Sequence, residues 1–503
     1  MSPVQIPPTP PNGLDQQQQT SKTHAQATTP SFATRAIHIG SEPELSASNG
    51  VTPSLDLSTT YLQTKVGVHK GFEYTRSSNP TRLALERVVS SLEGHADVLL
   101  QQAFKTQGID ADKWENGPAA LAFASGSAAT ATVVSGLAGR GGHLVSVGDV
   151  YGGTSRYMLR VASEQQGVET TFVDMSYSTG GPIITNESSS KRVAQDDAED
   201  QEIVARLEAA IRPDTKLIWA ETPTNPILSL VPIALIARVA KAHDIPLVID
   251  NTFSNPYYQS PLTLGASVVV HSGTKYLGGH SDVLSGFIIT PVPSLLEKFR
   301  FLQNANGNVP SPFDSWLVIR SLKTLTLRSR QHGLNALQIA TWLQEVAVTN
   351  GWVRDVRYPG LKRQQETSGQ RRERELAWSQ LSDEAKKWVE KQGFSRDGDK
   401  GFPSGGMVSF HIQSQHEASQ DKSEAAEAFL EALQVFALAE SLGGVESLAE
   451  LPLRMTHAGV APERRRQLGI DGELIRLSVG VEEADDLLAD VEQALQVAVG
   501  SQA

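Results

Sequence analysis

Cysteine is absent from the 503-residue chain. This excludes disulfide bonds, thiolate catalysis and Cys-ligated zinc or iron–sulfur sites, and it leaves no argument for an oxidising compartment. Long apolar runs are also missing. No stretch approaches the ~18 apolar residues of a membrane-spanning helix, so we expect no integral membrane protein. Positive charge is in deficit, with a net charge of −12, and there is no basic patch of the kind that binds nucleic acid.

Residues 1–30 are poor in apolar side chains and rich in Pro, Gln, Thr and Ser, which predicts a disordered tail. They lack the apolar core of a secretory signal, and Lys22 is their only Lys or Arg, so a transit peptide is not supported either. We therefore expect a cytoplasmic protein. The whole chain is long enough for two or three domains, and its 41 glycines fit an α/β protein.

Short apolar strands alternate with helices in the first two thirds of the chain. We predict strands at His143–Val147, Lys216–Glu221, Ile245–Asp250 and Val268–Val270, with a helix at Ile233–His243. This spacing indicates right-handed βαβ units and a mostly parallel sheet.

The pattern changes near residue 312. It becomes helical as far as about Thr349, and Met407–Ile412 and Ile475–Val479 are predicted strands further on. Two polar stretches interrupt the chain. Residues 176–203 are acidic and lack periodicity, which suggests a surface insertion, and residues 361–402 are dense in charged side chains and are expected to be solvated.

Lys275 follows the apolar run Val268–Val270 through a short turn. A partly buried amine there loses its proton more easily and can attack a carbonyl, whereas an ordinary surface lysine is the simpler interpretation. Ser272 and Thr274 offer hydroxyls that can hold a phosphate. The turn also fits the S-x-x-K pattern of serine acyl-enzymes, but the S-D-N and K-T-G companion motifs are missing.

Asp250 ends an apolar strand, where its carboxylate needs a cationic or N–H partner. Gly126 and Ser127 stand at a strand-to-helix turn whose backbone can face an anion, although small residues also mark close packing. Arg476 lies within an apolar strand. It needs an anion there, and a substrate carboxylate and a structural ion pair are equally good partners.

Three further residues stand in loops beside predicted helices. Tyr151 precedes two glycines at the expected ligand side of the sheet, or is simply a packed aromatic. Tyr74 and Arg76 precede a helix start with Asn79 as N-cap and Pro80 at the first helical position. This pair is either an exposed loop or an anion contact.

Taken together, Asp250, the turn at 272–275, Ser125–Gly126–Ser127, Tyr151 and the Tyr74–Arg76 segment resemble the pyridoxal phosphate (PLP) site of the cysteine/methionine-metabolism family of fold-type I enzymes. The resemblance covers roughly residues 32–498, with insertions near 101–117, 176–203 and 363–402. It implies an α/β fold with a large, mostly parallel sheet domain and a smaller α/β C-terminal domain. The implied division is a disordered tail (1–30), an N-terminal arm that reaches a neighbouring subunit's site (31–80), a PLP-binding domain (81–312) and a C-terminal domain (313–503).

The resemblance also implies a role for each candidate residue. Lys275 corresponds to the catalytic lysine that forms the Schiff base, and Asp250 to the partner of the cofactor's pyridinium nitrogen. Tyr151 corresponds to the aromatic that stacks on the ring and assists proton transfer to the leaving sulfur. The implied phosphate ligands are Gly126, Ser127, Ser272 and Thr274, with Tyr74 and Arg76 from the neighbouring subunit.

The implied substrate is a small sulfur amino acid, and no metal is implied. Asn225, Ser441 and Arg476 correspond to residues that hold the α-carboxylate, and Glu440, Arg156 and Thr456 to further substrate contacts. The expected reaction is γ-elimination of L-cystathionine to L-cysteine, 2-oxobutanoate and ammonia. γ-Replacement and β-elimination by the same cofactor set are the alternatives. The expected assembly is a homotetramer, a dimer of catalytic dimers, with no nucleic-acid or membrane partner.

Overall fold

The computed structural model describes residues 30–46, 48–115, 117–177, 180, 189–413 and 423–500. The predicted disordered tail, apart from Pro30, lies outside the described residues, as does much of the first half of the predicted insertion at 176–203. Within the described part of the chain, no helix is both long enough and apolar enough to cross a membrane.

A seven-stranded sheet forms the larger half of the molecule. Its spatial order is β1-β7-β6-β5-β4-β2-β3, and only β7 runs antiparallel to its neighbours. The predicted mostly parallel sheet is therefore confirmed. The strands are β1 (Ala120–Phe123), β2 (His143–Val147), β3 (Glu169–Val173), β4 (Thr215–Glu221), β5 (Leu247–Asp250), β6 (Val268–Ser272) and β7 (Gly286–Ile289).

The central strands of this sheet are buried because helices cover both faces, as in other parallel sheets. Val268, Val269 and Val270 of β6 have at most 1% of their surface exposed. The carboxyl ends of β4, β5 and β6 meet at one edge, where Glu221 is the register partner of Asp250. This edge carries most of the polar residues predicted to be functional.

Helices flank and follow the two sheets. Asn79 caps its helix as predicted, since its side chain accepts hydrogen bonds from the backbone N–H groups of Thr81 and Arg82 at 2.9 and 3.2 Å. The α-helices are Phe32–His38, Pro80–Leu92, Ala96–Gln107, Gly126–Ala138, Gly152–Arg156, Ser163–Gln166, Ser189–Ala210, Ile233–Ala242, Asn255–Tyr258, Pro293–Asn306, Pro312–Leu322, Leu325–Trp342, Ser368–Gln380, Asp383–Lys391, Glu424–Ala432, Pro462–Leu468 and Ala484–Gly500. Shorter turns of 3₁₀- or π-helix lie at Pro43–Leu45, Ala111–Lys113, Tyr157–Ala162, Pro261–Leu264 and Leu343–Ala347.

A five-stranded sheet organises the smaller half, with the order β10-β11-β12-β9-β8. All of its pairs are antiparallel except the short β10–β11 pair. The two strands predicted here, β9 and β12, are present. The strands are β8 (Val353–Arg357), β9 (Met407–Ile412), β10 (Ala437–Leu438), β11 (Leu448–Glu450) and β12 (Leu474–Ser478).

A second apolar core lies on this sheet, distinct from the core of the larger half. Helix Leu325–Trp342 joins the two, since Leu325 packs in the first core and Ile339 in the second. The predicted change near residue 312 coincides with the start of helix Pro312–Leu322.

The prediction that residues 361–402 are solvated is wrong for much of the segment. Helix Ser368–Gln380 buries Arg371 and Arg374, which are 5% and 3% exposed, and Val389 in the next helix is fully buried. The arginines are buried because acids meet them. Arg371 binds Asp196 at 2.8 Å, and Arg374 binds Glu366 through two bonds of 2.8 and 2.9 Å.

The stretch 176–203 is likewise not an unstructured surface segment throughout. Its second half belongs to helix Ser189–Ala210, in which Ile203 is buried. The two charged helices contact each other through an arrangement that we call the peripheral ion network. Its members are Arg192, Asp196, Asp200, Arg371, Arg372 and Glu375.

Candidate active site

A cavity of about 340 Å³ opens at the carboxyl edge of β4, β5 and β6. Both sheets contribute to its wall. Of the residues predicted for the site, those that line it are Gly126, Ser127, Tyr151, Asn225, Asp250, Ser272, Thr274, Lys275, Glu440, Ser441, Thr456 and Arg476. Tyr74, Arg76 and Arg156 do not line this cavity.

Lys275 is delivered to the cavity by the turn after β6, as predicted from the sequence. Its Nζ donates a hydrogen bond to Ser441 Oγ at 2.7 Å, which joins the two halves of the molecule. Burial, and then the positive charge of Arg476, lower the pKa of Lys275 to about 8, while the charges of Glu450 and Glu440 oppose the shift. The amine is therefore not an ordinary surface lysine.

Two carboxyl groups stand side by side at the strand ends. Asp250 Oδ1 accepts a hydrogen bond from the Thr252 N–H at 3.0 Å, but burial raises the pKa of Asp250 overall. Glu221, its neighbour in register, is 5% exposed and lines the same cavity. Burial and the charge of Asp250 raise the pKa of Glu221 well above its usual value.

Glu221 was not among the predicted site residues. The signal was available, since Glu221 ends an apolar strand just as Asp250 does. Its Oε2 accepts a hydrogen bond from the backbone N–H of Tyr151 at 2.8 Å, so it fixes the backbone from which the Tyr151 ring projects.

The Tyr151 side chain lines the cavity and is 45% exposed. Burial of its inner part raises the pKa of Tyr151, and the charge of nearby Arg156 opposes the rise. Arg156 itself is exposed, at the end of the short helix Gly152–Arg156. It thus lies next to the cavity rim without forming part of the wall.

The N-terminus of helix Gly126–Ala138 faces the cavity. Ser125 caps it by accepting a hydrogen bond from the Ala128 N–H at 3.1 Å. A Cβ atom at Gly126 would lie 2.9 Å from the Ser272 Cβ, so only glycine allows the helix end to approach β6 this closely. Helix N-termini attract anions through free N–H groups and the helix dipole. The Thr274 hydroxyl lies in the same wall and accepts a hydrogen bond from the Ser285 N–H at 3.2 Å.

Arg476 approaches from β12 of the second sheet. Its Nη1 lies 2.9 Å from Glu450 Oε1 and 2.8 Å from Asn225 Oδ1, and its Nη2 donates to the Ser441 carbonyl at 2.8 Å. The sequence left two partners open for Arg476, a structural ion pair and a substrate carboxylate. Arg476 has the ion pair, and it also lines the cavity in which a carboxylate could bind.

Glu450 was missed because β11 is too short for a periodic pattern. It is buried, it is the register partner of Arg476, and its Oε1 also accepts a hydrogen bond from Thr456 Oγ1 at 2.8 Å. Ser441 has a φ of 110°, a conformation that non-glycine residues rarely adopt. Strained residues of this kind are concentrated at functional sites.

Tyr74 and Arg76 lie together outside the cavity. The Arg76 guanidinium lies 5.1 Å from the centre of the Tyr74 ring, and its Nε donates to Asn304 Oδ1 at 3.2 Å. Tyr74 is 43% exposed. Within one chain, therefore, the pair does not reach the site.

The described cavity fits PLP. Lys275 offers an amine with a lowered pKa, and the Asp250 carboxyl needs a cationic or N–H partner. The close approach at Gly126 leaves a helix N-terminus facing the cavity, where a phosphate can bind. These groups all line the same cavity.

Comparison with known proteins gives the same result. The sequence matches the model of a family described as "Cys/Met metabolism PLP-dependent enzyme" over residues 33–105 and 110–496. The gap falls within the predicted insertion near 101–117.

Three relatives illustrate the match. Human cystathionine gamma-lyase is 42% identical over 470 residues, which cover 93% of this chain and 94% of the human protein. The crystal structure of cystathionine gamma-lyase from yeast has a TM-score of 0.73 and 39% identity, covering 94% of this chain and 100% of the yeast chain. Cystathionine gamma synthase from Xanthomonas oryzae pv. oryzae, in complex with cystathionine, has a TM-score of 0.72 and 31% identity with the same coverage.

Proposed function

The chain belongs to the family of Cys/Met metabolism PLP-dependent enzymes, and from that membership we propose that it is a carbon–sulfur lyase that converts L-cystathionine to L-cysteine, 2-oxobutanoate and ammonia. The two gamma-lyases compared above are 42% and 39% identical to it, against 31% for the synthase. The structural observation that carries the proposal is the hydrogen bond between Lys275 and Ser441, beside Arg476. Through Ser441, an amine of lowered pKa is linked to a guanidinium, a group that can bind a carboxylate.

PLP, when bound, draws electrons away from the substrate's α-carbon, which makes nearby C–H bonds acidic and assists departure of the γ-substituent. Lys275 and Asp250 would hold it at its aldehyde and ring nitrogen, and Tyr151 at its ring face. Gly126, Ser127, Ser272 and Thr274 would hold its phosphate.

Lys275 acts as the general base once its amine is free. With a pKa of about 8, roughly a tenth of the amine is neutral near pH 7, whereas an ordinary lysine is almost fully protonated. Its Nζ would take the proton from the substrate's Cα, give that proton up to the bound cofactor, and so be neutral again to take one from Cβ. The Ser441 hydroxyl holds Nζ in place between these transfers.

The substrate's α-carboxylate binds to Arg476, with Asn225 and Ser441 beside it. Glu440 and Thr456 line the same side of the cavity and contact the rest of the substrate. Arg156, at the rim, meets the distal end of cystathionine. An ordinary tyrosine keeps its phenolic proton at neutral pH, and burial raises the pKa of Tyr151 further, so Tyr151 can donate that proton to the departing sulfur.

A second subunit completes the phosphate site through its Tyr74 and Arg76. Supporting this, the segment that leads to them exposes apolar side chains that a monomer would leave in water: Val51, Leu57, Leu62 and Val66 are 77%, 66%, 88% and 102% exposed. The proposed assembly is a homotetramer built from two catalytic dimers. Mixing the inactive variants Lys275→Ala and Arg76→Ala should restore activity, because one hybrid site keeps both residues. No restoration in subunits that have exchanged would contradict the shared site.

We propose the division into an arm (31–80), a PLP-binding domain (81–312) and a C-terminal domain (313–503). The two sheets support two domains, although the buried apolar side chains of helix Pro312–Leu322 pack in the core of the larger half. The cytoplasmic location stays a prediction.

The decisive experiment is product analysis after incubation of the PLP-loaded protein with L-cystathionine. Cysteine with 2-oxobutanoate supports γ-elimination. Homocysteine with pyruvate would identify β-elimination instead. Formation of cystathionine from cysteine and an activated homoserine, without breakdown of cystathionine, would identify γ-replacement.

A further inference from the structure

Glu450 is the buried acid that pairs with Arg476, and it is not among the residues that line the cavity. Its side chain is 1% exposed, and that of Arg476 is 2% exposed. A buried ion pair is costly to desolvate and has to be justified by geometry or function. Glu450 also accepts a hydrogen bond from Thr456, and Arg476 also donates to Asn225 and to the Ser441 carbonyl, so the relative position of the two side chains is fixed.

The hydrogen bonds of the Arg476 guanidinium can be counted. Arginine has five N–H donors: two on each Nη and one on Nε. Nη1 has two acceptors, Glu450 Oε1 and Asn225 Oδ1, and Nη2 has one, the Ser441 carbonyl. The Nε–H is buried and has no hydrogen-bond partner among the described residues. One Nη2 donor is therefore left for a ligand, because the Nε–H is enclosed by the protein.

A guanidinium N–H donates a charge-assisted hydrogen bond to a carboxylate oxygen. Because Nη1 is fully used, the guanidinium cannot turn about its axis without breaking the bonds to Glu450 and Asn225. The ion pair thus determines which donor remains for a ligand.

Glu450 is itself held. Its Oε1 accepts a hydrogen bond from Thr456 Oγ1 at 2.8 Å, and its backbone is paired with Arg476 across β11 and β12. Its Oε2 has no partner among the described residues. The Glu450 charge also opposes the fall of the Lys275 pKa, so the residue could act by position or by charge.

We propose that Glu450 is a positioning residue that acts through Arg476: it occupies Nη1 and so directs the remaining Nη2 donor towards the substrate's α-carboxylate. This inference rests on the proposed function only in taking the ligand to be an amino acid. It predicts that the reach of the Glu450 oxygen matters more than its charge.

The test compares Glu450→Asp, which keeps the charge but withdraws the oxygen, with Glu450→Gln, which keeps the reach and removes the charge. Binding of L-2-aminobutyrate to the PLP-loaded protein is measured by spectroscopic titration. We expect Glu450→Asp to raise Kd about tenfold, the effect of losing one charge-assisted hydrogen bond, and Glu450→Gln to change it less than about threefold. In turnover, KM should rise for Glu450→Asp while kcat changes less.

L-2-aminobutanamide, which lacks the carboxylate, is the matched ligand. Its Kd should be nearly the same in both variants and in the parent protein, whereas a general disturbance of the site would weaken both ligands equally. Glu427→Gln, which breaks the exposed 3.0 Å pair with Arg454, is the control variant and should bind both ligands normally.

Equal weakening of carboxylate and amide by Glu450→Asp would overturn the proposal, as would a larger effect of Glu450→Gln than of Glu450→Asp. Glu450→Gln keeps the test open should Glu450→Asp fail to fold, since a loss of about tenfold or more in Glu450→Gln would itself contradict a positioning role. Binding needs no turnover, so a protein that binds as expected but does not cleave cystathionine would refute the proposed function and leave the role of Glu450 standing.

Discussion

The candidate active site and the peripheral ion network are two places where charged side chains are concentrated and partly buried, and they differ in how those charges are balanced. In the network, Arg371 meets Asp196 and Glu375 at 2.8 Å each, and Arg372 meets Asp200 at 2.7 Å. Although burial alone would lower the pKa of Arg371, the hydrogen bond to Asp196 and the charge of Glu375 raise it overall. The network thus stabilises the charged forms.

The candidate active site destabilises the charged forms of two of its residues. Burial lowers the pKa of Lys275 to about 8 and raises that of Glu221 well above its usual value, so both charged forms are disfavoured. The contrast indicates that the network holds the fold together, while the site keeps reactive groups uncompensated until ligands arrive.

The largest expected effect separates the two regions by activity. Lys275→Ala should lower turnover of L-cystathionine by at least about 10³-fold, because it removes the residue that carries the protons. Lys113→Ala, at a side chain that is 84% exposed, is the control and should leave turnover unchanged. Substantial turnover by Lys275→Ala would show that the cavity around Lys275 is not the active site.

Arg476→Lys should lower kcat/KM by about 10²-fold, mainly through KM, because lysine cannot bind Glu450, Asn225 and a carboxylate at once. Steady-state kinetics with L-cystathionine measures this. Arg354→Lys, in the same sheet but paired with Glu473 and Asp471, is the matched control and should change kcat/KM less than about threefold. Equal effects of the two substitutions would mean that Arg476 is structural only.

Arg371→Ala tests the other side of the comparison. It leaves Asp196 and Glu375 without their shared partner, and because these acids are partly exposed we expect a loss of about 2 kcal/mol in the free energy of unfolding. Urea denaturation measures this, and kcat/KM should stay within about twofold of the parent value. The exposed pair of Arg160 and Glu164 is the control, since Arg160→Ala should cost less than about 0.5 kcal/mol. A large loss of activity in Arg371→Ala would show that the network is part of the site.

Removing a charged side chain from the site should raise the free energy of unfolding, whereas removing Arg371 from the network should lower it. Burial lowers the pKa of Lys275 from 10.5 to about 8, so folding below pH 8 confines a charged amine where the neutral form is preferred. In the PLP-free protein, Lys275→Met should therefore gain about 3 kcal/mol of stability over the parent at pH 7 from this cause. The charges facing the amine, Arg476, Glu450 and Glu440, are the same in both proteins.

This gain should decline as the pH rises from 8 to 10.5, because the parent amine then loses its proton in the unfolded chain as well. Urea denaturation of both proteins across that range measures the difference. A difference that did not change with pH would come from packing of the methionine, and it would contradict the lowered pKa of Lys275.

Much of the site could be predicted from the sequence because its residues stand at strand ends or helix starts. Lys275 and Asp250 follow apolar strands of the larger sheet, and Asn79 precedes a helix-initiating proline, so local pattern gave both their placement and their need for partners. The shared cavity wall follows from parallel strands ending at one edge.

What could not be predicted depended on partners far along the chain. Glu450 lies in a three-residue strand and becomes meaningful only beside Arg476. Residues 361–402 look solvated in sequence because they carry many charges. Two of these, Arg371 and Arg372, are compensated by Asp196 and Asp200, which lie on a helix about 170 residues earlier in the sequence. A charge count within one segment cannot reveal that the opposite charges arrive from another.

The Lys275–Ser441 hydrogen bond joins two residues that are synthesised at different times. Every residue of the chain's own cofactor wall, from Gly126 to Lys275, leaves the ribosome before Ser441 and Arg476 do, and domains generally fold as they emerge. The nascent protein can therefore complete the surface that receives PLP before it has any means of holding an amino acid by its carboxylate. Substrate recognition is the last property of the site to be synthesised, and it is acquired only when the second sheet closes over the first.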